Sequence, residues 1–80
     1  MNYDDNRIDE AVLALLATYC YDNGQVWKGF DFDVMDRLYQ RGLISQPHNK
    51  NKSVWMTPEG RELGQQIAAR LFAEDPSEPT

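Results

Sequence analysis

The stretch RLYQRGLISQPHNKNKSVWMTPEG, Arg37 to Gly60, leaves this chain little choice of fold. Two helix-boundary signals bracket it: Gly42 after one amphipathic run, and Thr57-Pro58 before another. Glycine just past a helix takes the left-handed conformation that closes it, and the apolar residue beyond, here Leu43, packs back on the last turn. Threonine before proline is a strong helix start, since the hydroxyl caps free amides and the ring is pre-set for the first turn. Between these signals Leu43-Ile44-Ser45 reads as a short strand, QPHNKN as a turn-rich tip, and SVWM as a returning strand rich in Val and Trp. Pro47 beside the tip stops the first strand from extending. A hairpin between two helices follows.

The flanks supply the rest. A first helix is predicted over about Arg7 to Asp22, with Asn6 as its N-cap and Asp9 placed well for the helix dipole. Ile8, Val12, Leu15, Leu16 and Tyr19 recur at helical spacing, and Leu13 with Cys20 broadens the apolar face. Asp22-Asn23-Gly24 ends it. A second helix is predicted from Phe32 to Arg41, capped by Asp31, with Phe30 and Met35 at the positions of a hydrophobic staple. Val34, Met35, Leu38 and Tyr39 form its apolar stripe; Leu63, Ile67, Leu71 and Phe72 form that of the third helix. The order is α-α-β-β-α, an α+β class. Gly60, Gly64 and Ala68 make a small-residue stripe on helix 3. Each interior glycine costs about 1 kcal/mol of helix propensity, so a close backbone neighbour should offset it. That neighbour is helix 1, with Ala11, Ala14 and Ala17, or a symmetry mate in a homodimer through helix 3.

Eighty residues make one domain, assigned to 1–73, with the acidic, proline-containing 74–80 as a tail. A chain of this size buries only about 60% of its unfolded surface, so its core must be small. One cysteine, Cys20, allows no internal disulfide and fits a reducing compartment. The start MNYDDNRIDE is acidic, unlike a targeting segment, and the longest apolar run, Ala11 to Ala17, falls far short of the roughly 20 residues of a membrane span. A cytoplasmic location follows. His48 is the only histidine and sits in a polar turn; no Cys/His set suits zinc, and no glycine-rich loop suits phosphate. The sequence therefore argues against an enzyme, and for no cofactor and no metal.

L…RGLI, a short charged hairpin, and VWMTPEG opening a helix resemble the second half of winged-helix domains in bacterial transcription regulators. Over its full length, through IDEAVLALL, WKGFDFDVMDRL and KNKSVWMTPEG, the chain resembles a family of small bacterial proteins known only as a domain of unknown function. The first likeness implies a minimal winged-helix-like domain with a two-stranded hairpin wing, although two helices rather than three precede that wing. It implies a DNA-associated regulatory module, with Arg37, Gln40 and Arg41 in a groove and Lys50 and Lys52 on phosphates.

The charge distribution bears on that reading. Net charge is −5, which disfavours nonspecific nucleic-acid binding, but Gln25 to Ser53 holds five basic residues against three acidic ones, leaving three basic and ten acidic elsewhere. The three acids, Asp31, Asp33 and Asp36, suit the first turn of helix 2 better than a phosphate. The alternative is a protein-interaction or adaptor module with no DNA binding. Trp27, Phe30, Phe32 and Trp55, with Lys28, form either a binding patch or, as aromatics in a small domain usually do, the core; the core is the expectation. A positive face joining helix 2 to the hairpin favours DNA. An acidic surface broken by exposed aromatics favours a protein partner.

Overall fold

Asp4 starts the first helix of the computed structural model, which describes residues 2–73 apart from Asp22, Lys28, Asn49 and Asn51. The expected tail, 74–80, lies outside the described residues. The Asp4 carboxylate accepts from the Asn6 and Arg7 amides at 2.9 and 3.4 Å. Helix α1 thus runs Asp5–Tyr19, starting two residues before the expected position, with Asp4 rather than Asn6 as its cap. It ends sooner too, because Cys20 is already extended. Gly24 takes its φ of 87° in the following turn, where its N–H donates to the Tyr21 carbonyl.

Asp31 accepts from the amides of Asp33 and Val34 and starts α2, Phe32–Gln40. Gly42, at φ 76°, donates to the Tyr39 carbonyl while Leu43 donates to that of Leu38. These paired bonds are the expected closure, and Leu38 and Leu43 are both buried. Thr57 then starts α3, Pro58–Phe72. Its hydroxyl oxygen accepts from the Gly60 amide at 3.0 Å and donates to the Gly42 carbonyl at 2.7 Å. One side chain joins the close of α2 to the start of α3.

The strands differ from expectation. Strand β2, Ser53–Trp55, finds its main partner in β1, Gln25–Trp27, which lies between α1 and α2. The pair is antiparallel, with Gln25 opposite Trp55, Val26 opposite Val54 and Trp27 opposite Ser53. Leu43-Ile44-Ser45 contributes one bridge, Ile44 to Met56. The hairpin arms in the expected order are thus present, the first reduced to that bridge, with β1 as an additional strand. Proline shortens the first arm, and Ser45 supplies its side chain in place of backbone: its Oγ accepts from the Trp55 amide at 2.9 Å.

The core is aliphatic: Leu13, Leu16, Val26, Val34, Met35, Leu38, Leu43, Ile44, Val54, Met56 and Ile67, with Ala14 and Ala17. It exists because α3 lies very close to α1. A Cβ on Gly64 would stand 2.7 Å from the Ala17 Cβ and 2.9 Å from the Leu13 carbonyl oxygen, and one on Gly60 would overlap the Leu43 carbonyl. Within the chain, Gly60 is buried against Leu43 and Gly64 against α1, while Ala68 is partly buried. Leu71 and Phe72, expected to continue the apolar stripe, are exposed at the end of α3.

Gly64→Leu should therefore lower the free energy of unfolding in urea by about 1–3 kcal/mol, the usual cost of overpacking. Ala69→Leu on the exposed face of α3 should stay within about 0.5 kcal/mol. Equal effects would mean that α3 does not need its close approach. Val54→Asp places a carboxylate where no surface is exposed, and circular dichroism should find that variant unfolded at neutral pH.

Candidate interaction surface

Arg37, the first of the expected groove-reading residues, has another task. Its Nε and Nη2 donate to Oδ2 and Oδ1 of Asp9, both at 2.7 Å. Asp9 lies on α1 and is 1% exposed, whereas the Arg37 side chain on α2 is one-third exposed, at 34%. A buried carboxylate requires such a partner, and the planar guanidinium fork fits it at both oxygens. The hydrogen bonds that Arg37 donates to Asp9 hold it further above its already high titration range, against an opposing cost of desolvation. Sequence reasoning assigned Asp9 to the helix dipole alone. The missed signal is its spacing: Asp9, Leu13 and Leu16 stand at i, i+4 and i+7 on the inner face of α1.

Gln40, Arg41, Lys50 and Lys52 are exposed, but Arg41 and Lys50 do not converge. Arg41, at the C-terminal end of α2, lines a shallow cleft with Glu10, Gln66 and Arg70. Lys50 lies at the other end, beside Phe30, Phe32 and His48. The nine residues of α2, at about 1.5 Å each, put those ends some 13 Å apart. His48 of the hairpin tip also meets the N-terminal half of α2. His48 places Nε2 2.7 Å from Oδ1 of Asp36, and its ring stacks on Phe32 with centroids 5.6 Å apart and planes 3° from parallel.

All nine aromatic side chains of the chain are exposed. This overturns the expectation that Trp27, Phe30, Phe32 and Trp55 fill the core; Lys28 beside them lies outside the described residues. The physical reason is alternation in the two-stranded sheet. Val26 and Val54 face inward, so Trp27 and Trp55 share the outer face. Phe30 and Phe32 flank the start of α2.

Trp27, Phe30 and Phe32 border two clefts with one common wall, Phe30. One, of about 650 Å³, is lined by Phe32, Met35, Pro47, His48 and Lys50. The other, of about 470 Å³, is lined by Leu15, Leu16, Tyr19, Tyr21 and Trp27. The described residues lining them include no Asp or Glu, in a chain with 13 acidic residues. Strand addition is hindered beside them, because Gln25 uses both backbone groups within its own turn. Its N–H donates to Asn23 Oδ1 at 3.0 Å, and its carbonyl accepts from the Tyr21 amide at 2.8 Å. Apolar side chains fit this surface best. Among the described residues no helix is long and apolar enough to cross a membrane.

Residues 4–74 match the family model described as "Domain of unknown function (DUF6429)". The chain is 46% identical over 72 residues to "Uncharacterized protein y4hR" of Sinorhizobium fredii (strain NBRC 101917 / NGR234), a match covering 90% of this chain and 97% of that protein. No solved structure matches it.

Thermal unfolding should separate the two halves of the Asp9–Arg37 pair. Arg37→Ala strands a buried carboxylate, whereas Asp9→Ala leaves an arginine that can turn to water. The first should lower Tm more, and the double variant should recover much of that loss. Equal, additive losses would mean that the groups do not act as a pair.

Proposed function

The chain belongs to the DUF6429 family, and we propose that it is a small, non-enzymatic protein-interaction module of the cytoplasm that holds its partner on the aromatic face around Phe30. The observation that carries this reading is the exposure of every aromatic side chain, five of them grouped about two adjoining clefts. Exposed apolar patches of that kind mark interaction sites, and aromatics anchor them. The sequence of α2, hairpin arms and α3 serves in this reading as a reduced winged-helix-like frame turned to protein contact. The Arg37 engagement with Asp9, the acids Asp31, Asp33 and Asp36, and the separation of Arg41 from Lys50 all weigh against DNA.

Fluorescence anisotropy with random duplex DNA tests the choice. No binding should be found even at low salt, where phosphate attraction is strongest. If DNA does bind, and Lys50→Ala with Lys52→Ala makes the logarithmic salt slope shallower by about 1.8, the interaction-module reading fails. In cells, a photo-crosslinking residue in place of Trp27 should form protein adducts, and one in place of Gln65 on exposed α3 should not.

A further inference from the structure

We infer that a second copy of this chain fills the aromatic face, giving a two-fold homodimer; this rests on the protein-interaction reading and names its partner. A self-paired contact requires a face that is its own complement. Here Trp27 and Phe32, 67% and 70% exposed, stand on either side of Phe30, each beside a cleft with room for an aromatic ring. The same face thus offers both knobs and holes.

Charge confines a contact between copies to the clefts. The chain carries −5, so two copies repel over most of their surfaces. The two clefts are lined by no carboxylate among the described residues, and the charged group they contain is Lys50. Exposed Asp31, between Phe30 and Phe32 in the sequence, and Asp36, 2.7 Å from His48, border the clefts, so copies meet on the ring surface itself. Homodimer interface cores are apolar and poor in charge in the same way.

Area sets the strength. At about 200 Å² per aromatic side chain, the exposures of Tyr19, Tyr21, Trp27, Phe30 and Phe32 leave roughly 600 Å² of ring surface on each copy. That is at the top of the range for the largest patch on a monomer, about 300–600 Å². Two such faces bury roughly 1,200 Å², the lower limit for a specific interface. The dimer is therefore concentration-dependent and apolar, and it strengthens as salt screens the repulsion between copies.

Sedimentation equilibrium on the full chain over a wide concentration range, at low and high salt, tests this. A monomer–dimer equilibrium is expected, tighter at high salt. Trp27→Gln and Phe30→Gln should each weaken it at least about tenfold, the equivalent of 1.4 kcal/mol, with helix content unchanged by circular dichroism. Leu71→Gln with Phe72→Gln, at the exposed end of α3, should leave it intact. A monomer at every concentration overturns the second copy; protein adducts at position 27 in cells would still support the interaction reading with another protein. A dimer that loosens with salt, or that the α3 variant abolishes while Trp27→Gln and Phe30→Gln do not, overturns it as well.

Discussion

Most of this structure depends on how near α3 comes to α1. Gly64 rests against Ala17 and the Leu13 carbonyl, and Gly60 against the backbone of Leu43. Interior glycines weaken an isolated helix by about 1 kcal/mol each, so α3 owes its stability to the contact that they permit. That contact also limits what the interior can hold. Leucine, isoleucine, valine, methionine and alanine fill it. Rings would require helices set further apart, and all nine remain outside. The aromatic face is thus the consequence of a narrow core in a short chain.

The helix boundaries were legible where single residues decide them. Gly42 with Leu43 closes α2 and Thr57-Pro58 opens α3 as the sequence predicts, because each signal is a local hydrogen-bonding need met by one side chain or one left-handed residue. Tertiary pairing was less legible. Nothing local tells Ser53–Trp55 to prefer Gln25–Trp27 over the nearer Leu43-Ile44-Ser45, since the choice depends on where α1 delivers β1. The aromatics misled for a related reason. In a half-buried strand the inner side is set by the partner sheet and helices, and Val26 with Val54 took it.

Asp9 and Arg37 join two helices of the fold. A carboxylate inside a domain this small must have a cation, and the residue that supplies it lies on α2, the helix whose outer side looked like a reader of bases. Arg37 ties α1 to α2 through its Nε and Nη2, with about a third of its side chain exposed. Of the expected site residues, Arg37 is thus structural in its observed contacts, while Gln40, Arg41, Lys50 and Lys52 remain on the surface. The basic excess between Gln25 and Ser53 is a property of the sequence. In space, Arg41 and Lys50 line different clefts.

The hairpin tip is tied to the domain by its own contacts. Here Pro47 is buried, His48 is held at Asp36, and the His48 ring lies flat on Phe32. The tip is folded back on the start of α2 and becomes one wall of the larger cleft, with Lys50 at its lining. His48 both stacks on the exposed Phe32 ring and meets Asp36, and a ring already stacked has less entropy to lose when a partner orders it. The tip residue His48 is thus the stacking partner of an exposed aromatic.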